Sequence, residues 1–198
     1  MILPGSNIVV GPYAVHSQIK EVEFVKSSGR AKDCPKDDRP EFAIVGRSNV
    51  GKSSLINALV RKKEIALRKT QLINHFLVNK SWYIVDLPGY GGCCSNRLVL
   101  IHKRLLSNRE TLVGVLVLID ASVPPQKIDL DCANWLGHSN MKVAKGRRPD
   151  ENVYQEFPGA DKRQLPAAFS WIMTSSVTGL ARDELLLHMS QLRNYWDQ

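Results

Sequence analysis

Eight residues constrain this chain more than any others: Gly46-Arg47-Ser48-Asn49-Val50-Gly51-Lys52-Ser53, a G-x-x-x-x-G-K-S segment. Before it stands Phe42-Ala43-Ile44-Val45, a short apolar run suited to a buried strand. After it Leu55, Ile56, Leu59 and Val60 recur at helical spacing. Strand, glycine loop and helix in that order make a turn whose backbone N–H groups converge on phosphate oxygens, backed by the partial positive charge of the helix N-terminus. Lys52 then reaches the β- and γ-phosphates, and the Ser53 hydroxyl ligates magnesium. A glycine turn that matches by chance is the competing reading, and the flanking strand and helix weigh against it.

A second motif, Asp86-Leu87-Pro88-Gly89, ends the apolar stretch Trp82 to Val85. Alone it reads as a plain turn. Behind a phosphate loop, an Asp at a strand end holds magnesium and the glycine N–H senses the γ-phosphate. The remaining pattern supports an α/β domain around these loops. Leu72 to Val78 and Trp82 to Val85, joined by Asn79-Lys80, predict a hairpin. Leu112 to Ile119 is a continuous apolar run fit for a central parallel strand. Ile128 to Leu136 predicts a helix after Pro124-Pro125, Phe169 to Met173 a last strand, and Leu180 to Trp196 an amphipathic closing helix. Strands alternating with helices predict three layers about a mostly parallel sheet, the architecture of a P-loop NTPase. At 198 residues we expect one domain over 40–198, preceded by an N-terminal extension over 1–39 whose strand-like stretch is Ile19 to Val25.

Composition narrows the partners. The longest apolar stretch, Leu112 to Ile119, is far too short to cross a bilayer, so no membrane partner is expected. A formal charge of +8 favours polyanions, with nucleic acid foremost. The basic clusters Arg61-Lys62-Lys63 and Lys142 to Arg148 read as solvated surface before they read as RNA contacts. Cys34, Cys93, Cys94 and Cys132 form no CxxC pair, and the histidines show no ligand spacing, so a reducing compartment fits and no zinc site is expected. Met1 to Ser6 resembles neither a signal nor a transit peptide, which makes the chain cytoplasmic as it stands. A monomer is expected.

Gly46 through Asn57, then Lys69-Thr70-Gln71, Asp86-Leu87-Pro88-Gly89-Tyr90-Gly91, Ile119-Asp120-Ala121-Ser122 and Thr174-Ser175-Ser176-Val177 together resemble the EngB family of ribosome-assembly GTPases, most closely its plant organellar branch. The resemblance covers most of the chain from Lys20 onward. It implies GTP and GDP as ligands held by Gly46 to Ser54, by Asp86 to Gly89, and by Thr174, Ser175 and Ser176, with Ser175-Ser176 against the guanine ring. It implies magnesium on Ser53, Thr70 and Asp86, a potassium ion near Asn49, a ribosomal subunit or its RNA as partner, and a chloroplast or other organelle as location. Thr70 would be the switch threonine and, with Lys52, the catalytic pair. The reach is sufficient: helical residues 52–62 travel about 16 Å, and 63–70 can return about 26 Å. Its alternative is the first residue of a strand. Tyr90 and Gly91 stand where a catalytic glutamine would be, so intrinsic hydrolysis should be slow and acceleration should come from a partner.

Three stretches depart from the family. Leu67-Arg68-Lys69 replaces the Pro-Gly that usually precedes the switch threonine. Gly92-Cys93-Cys94-Ser95-Asn96 leads into Arg97 to Leu106 in place of the usual second switch. The T-K-x-D or N-K-x-D whose Asp pairs with guanine is absent between Asp120 and Ser175. Nor does any apolar run between Ser139 and Pro166 read as the strand that should carry it. We therefore expect an internally deleted family member lacking one central strand, with the strands ending at Asp120 and Met173 paired directly or left with an open, poorly covered edge. Two other outcomes fit these departures. One is a variant that binds triphosphates without guanine specificity; the other is a constitutive basic RNA-binding protein with a vestigial loop.

The missing Asp generates a prediction. A buried carboxylate that reads guanine can discriminate against adenine by about 10⁴-fold. Without it only the backbone near Ser175 and Ser176 recognises the guanine carbonyl, a contact of about 0.5–1.5 kcal/mol. Competition of ATP against bound labelled GTP should show a preference of roughly tenfold or less. Strong GTP selectivity would mean that another residue between Ser139 and Pro166, Asp150 first, has taken the role.

Overall fold

The computed structural model describes residues 2–11, 17–66, 72–91, 105–106, 109–138, 143–147 and 170–196. Strand β2 (Glu41–Gly46) is buried from end to end, and its alternating side chains serve opposite faces of the sheet. Phe42 and Ile44 join a core with Leu55, Ile56 and Leu59 of helix α1 (Lys52–Val60) and with Leu185, Leu186 and Met189 of helix α3 (Arg182–Trp196). Ala43 and Val45 join a second core with Leu87, Leu105 and Leu136, the last on helix α2 (Lys127–His138). A strand covered on both faces has no side to leave polar, which is why its sequence is a continuous apolar run.

Around β2 lie β1 (Val22–Ser28), β3 (Ile73–Val78), β4 (Trp82–Asp86), β5 (Leu112–Leu118), β6 (Val143–Arg147) and β7 (Ser170–Met173), in the order β1-β3-β4-β2-β5-β6-β7. The β3–β4 hairpin is antiparallel and turns through Asn79 and Lys80, both at positive φ. β1 adds antiparallel to β3 at the edge. From β4 to β7 each pairing is parallel, so Gly46, Asp86, Leu118 and Met173 all end at one rim of the sheet. Loops that meet at such a rim are where α/β folds place their ligands.

The sheet corrects one expectation. No central strand is missing: Val143–Arg147 runs between β5 and β7, with Val115 to Leu118 paired on one side and Ser170 to Met173 on the other. An apolar run was too narrow a criterion, because strand pairing is made by backbone N–H and C=O groups, which a Lys or Gly supplies as well as a Val. Neither the direct pairing nor the open edge expected there accordingly arises between β5 and β7. Asp150, three residues beyond Arg147, lies outside the described residues. Elsewhere the differences are small. The strand expected over Ile19 to Val25 is Val22–Ser28, and the closing helix starts at Arg182, after Gly179 (φ 75°) and Ala181 (φ 54°) break the chain's entry into it.

At the end of β2 remote from the loops, Glu41 is buried and held by a two-pronged contact from Arg109, whose guanidinium also donates to the Pro35 carbonyl at 2.8 Å. His75 is fully buried beside them, its Nε2 3.9 Å from Glu41, and His188 is buried on α3. Among the described residues, neither ring nitrogen of His75 nor Nδ1 of His188 finds a hydrogen-bond partner. Burial pushes both imidazoles down to about 4. A histidine whose folded pKa is depressed stabilises the fold above its unfolded value, and that stability is lost as pH falls from about 6.5 towards 4. Glu41, raised by burial, works in the opposite sense beside His75, so His188 gives the cleaner signal. The chain should lose about 2 kcal/mol between pH 7 and pH 5 through His188, about 4–8 °C in Tm. In His188→Gln that fall should shrink by this amount in thermal melts, and an unchanged pH slope would refute the assignment.

Candidate functional site

The loop leaving β2 is shaped by two glycines and one residue that behaves like one. At Gly46 a Cβ would lie 2.7 Å from the Leu118 carbonyl oxygen and 2.9 Å from Val50 Cγ1, so only glycine fits between β5 and the returning loop. Asn49 (φ 64°) and Gly51 (φ 101°) take the left-handed conformation that curls the chain into the first turn of α1. Lys52 opens that helix and is buried, its Nζ donating to the carbonyls of Gly46 at 3.1 Å and Arg47 at 2.9 Å. Burial lowers its pKa and the Asp86 carboxylate opposes the shift. Ser53 is half-buried in the same turn and Ser54 is exposed beside it, while Ser48 and Asn49 stand exposed at the mouth of the loop.

The second motif is stitched to the first. Asp86 ends β4 fully buried, and Leu87 N–H donates to the Ile44 carbonyl at 3.2 Å. Beyond Pro88 the ladder resumes: Tyr90 N–H donates to Gly46 O at 3.2 Å and Ser48 N–H donates to Tyr90 O at 2.9 Å. Gly89 lies between, so close that a Cβ on it would sit 2.7 Å from both the N and the Cα of Ser48. The glycine of D-x-x-G therefore rests on the backbone of the phosphate loop, and any larger residue would pry the two apart.

At the same rim, Asp120 accepts from the Ser122 N–H at 2.9 Å and its hydroxyl at 2.7 Å, closing the turn after β5. Thr174 is buried after β7, and Ser175 anchors the next turn: its N–H donates to Leu180 O at 3.2 Å and its carbonyl accepts from Gly179 N–H at 2.9 Å. Ser176 follows, half-buried. The structure thus gathers Gly46 to Ser54, Asp86 to Gly89 and Thr174 to Ser176 at one rim. Thr70, the second switch after Gly91 and the segment around Asp150 fall outside the described residues, apart from the buried pair Leu105-Leu106.

As a magnesium site the donor set fits. Asp86 offers one buried carboxylate and Ser53 one hydroxyl in the first helical turn. Among the described residues no group of three or more His, Cys, Asp or Glu could hold a metal by itself. Few protein oxygens is what magnesium favours, since it keeps waters and takes the rest from phosphate.

Sequence reasoning missed Asp129. It sits fully buried in the first turn of α2, its Oδ1 accepting from the Tyr90 hydroxyl at 3.0 Å and its Oδ2 lying 3.0 Å from Arg47 Nε. The same Oδ2 accepts from Gln126 N–H at 3.1 Å, an ordinary helix-capping bond. An Asp at the third position of a helix reads as a cap, and that reading hides its other two partners.

A model of the 50S ribosome-binding GTPase family matches residues 41–145. The chain is 65% identical over 220 residues to a GTP-binding protein of Arabidopsis thaliana, covering all of this chain and 73% of that one. The aligned stretch exceeds the 198 residues present here, so the relative has residues without a counterpart in this chain. A probable GTP-binding protein EngB of Phocaeicola vulgatus is 37% identical over 196 residues, spanning 88% of this chain and 96% of its own. One of Bacteroides fragilis is 39% identical over the same shares. Among solved structures, a probable GTP-binding protein engB superposes with a TM-score of 0.57 at 19% identity, covering 77% of this chain and 98% of that one. Era of Aquifex aeolicus bound to GDP and AlF4- superposes with a TM-score of 0.55 at 23% identity, over 76% and 55%. At such identities the superpositions speak for the fold, and with the sequence matches they place this chain in the 50S ribosome-binding GTPase family, as an EngB-type member.

Proposed function

We propose that this protein binds GTP with magnesium, hydrolyses it slowly, and uses the bound nucleotide to time its contact with a precursor of the large ribosomal subunit. The observation that carries the proposal is the cradle itself. Gly46, Asn49 and Gly51 curl the loop, Lys52 lies buried at its floor, and Gly89 rests on Ser48 where a γ-phosphate would be sensed. The backbone of residues 46–54 holds the phosphates, Lys52 balances their charge, and Thr174 to Ser176 border the base. Ser53, Asp86 and Thr70 are the residues that would hold a magnesium ion, whose chemistry there would be to neutralise charge on the phosphate oxygens. Lys52 and Thr70 position the reacting group, and with Tyr90 and Gly91 in place of a catalytic glutamine, the attacking water is oriented only when a partner completes the site. Asn49 is the residue to which a potassium ion would bind. The ribosomal role is supported by the match to the 50S ribosome-binding GTPase family, and a place in the chloroplast or another organelle by a plant relative of a bacterial type of protein.

Lys52→Ala should cost about 1.5–3 kcal/mol or more of triphosphate affinity, because nothing else in the loop supplies a point charge there. A fluorescent GTP analogue titrated against the purified variant measures this, and undiminished binding would rule out the phosphate-loop reading. If the +8 charge serves ribosomal RNA, association with large subunits should fall steeply with salt, the log-log slope counting the phosphates neutralised. A flat dependence would assign the contact to protein.

A further inference from the structure

We propose that Asp129 and Tyr90 form a latch that holds the segment after Asp86-Leu87-Pro88-Gly89 on the phosphate loop, and so set how strongly the site favours a nucleoside triphosphate over the diphosphate. This rests on the GTP-binding reading and adds two positioning residues that lie outside both motifs.

Three elements meet at one buried carboxylate. Asp129 belongs to α2, Tyr90 to the segment after β4, and Arg47 to the loop after β2. Capping of α2 needs only the bond from Gln126 N–H, and a cap exposed to solvent would do as well. Here the carboxylate is fully buried, Tyr90 is buried, and the Arg47 side chain is 19% exposed. A buried carboxylate is tolerated when it is paired and hydrogen-bonded, and removing one partner leaves the others uncompensated. The cluster therefore behaves as one unit that spans the phosphate loop and the segment that follows Asp86.

The backbone of Tyr90 is fixed as tightly as its side chain. Its N–H donates to Gly46 O and its carbonyl accepts from Ser48 N–H, while its hydroxyl donates to Asp129. Burial, with Cys132 and Asp129 beside it, pushes the Tyr90 hydroxyl well above its ordinary range, so it remains the donor at neutral pH. Gly89 is the adjacent residue, already in contact with Ser48. Anchoring Tyr90 at three points sets the plane of the Gly89–Tyr90 peptide and, through the Gly89 Cα, limits the positions open to the preceding Pro88–Gly89 peptide, which carries the Gly89 N–H. That N–H answers to the γ-phosphate, which only the triphosphate possesses. A loosened Tyr90 should weaken the triphosphate complex and spare the diphosphate complex.

The test uses the full chain and the variants Tyr90→Phe and Asp129→Asn, each checked for folding by thermal melt. Titration with fluorescent GDP and with a non-hydrolysable GTP analogue should show diphosphate affinity within about twofold of the unmodified protein and triphosphate affinity down roughly tenfold, the scale of one charge-assisted hydrogen bond. In nucleotide-free samples, hydrogen exchange at the Ser48 and Tyr90 amides should be roughly tenfold faster in both variants, with Val115 to Val117 of β5 unchanged. A folded Tyr90→Phe protein with an unchanged triphosphate-to-diphosphate ratio would overturn the proposal, as would equal losses for both nucleotides. Should Asp129→Asn fail to fold, Tyr90→Phe decides alone, since it removes only an oxygen. An unmodified protein that holds neither nucleotide would instead sink the GTP-binding reading, and the exchange measurement would still report whether the latch exists.

Discussion

The backbone ladder between β2 and β4 is the constraint on which the rest of the site depends. It does not stop where the strands do: past Asp86 it skips Pro88 and resumes through Tyr90, whose N–H and carbonyl bond Gly46 and Ser48. Two loops that would otherwise be independent thereby share a frame. Gly89 follows from it, since a Cβ there would drive into the Ser48 backbone at 2.7 Å, while Gly46 is required on the other side of β2, where a Cβ would meet the Leu118 carbonyl of β5 at 2.7 Å. The glycines of the two motifs are thus required by the approach of main chain to main chain as well as by room for a ligand.

Charge is distributed along β2 with a corresponding logic. Glu41 at one end and Gly46 at the other both lie in the interior, so every ionic group near them must be paired. At the Glu41 end Arg109 answers the carboxylate and ties the approach at Pro35 to the start of β5. At the Gly46 end Lys52 is satisfied by loop carbonyls, and Arg47 has Asp129 as its ion-pair partner. Removing one member of either cluster leaves a charge buried without its partner, whereas an exposed pair such as Lys80 with Glu21 contributes little.

How much of this was legible depended on what each feature asks of a side chain. The phosphate loop, the β3–β4 hairpin, α2 and α3 were readable because buried strands need apolar runs, helices need apolar periodicity, and turns need Gly or Asn. β6 was not, because Val143-Ala144-Lys145-Gly146-Arg147 carries neither an apolar run nor an alternation, and only its backbone pairing with β5 and β7 marks it as a strand. Asp129 was not, because its local role as a cap explains it fully in one dimension while its partners lie 39 and 82 positions away in the chain. Reading Tyr90 as the site of an absent glutamine likewise missed that its ring reaches α2.

The way β6 is held has a consequence for substitution. Peptide groups on both flanks fasten β6, and those bonds do not depend on which side chains Val143–Arg147 carry, so a change of letter there leaves the pairing with β5 and β7 available. The stretch between β2 and β4 has no such latitude, because steric fit at Gly46 and Gly89 ties specific letters to specific places. Tolerance to substitution is therefore uneven across one sheet: a new side chain on β6 leaves its backbone bonds in place, whereas any side chain at Gly46 or Gly89 meets a main-chain atom.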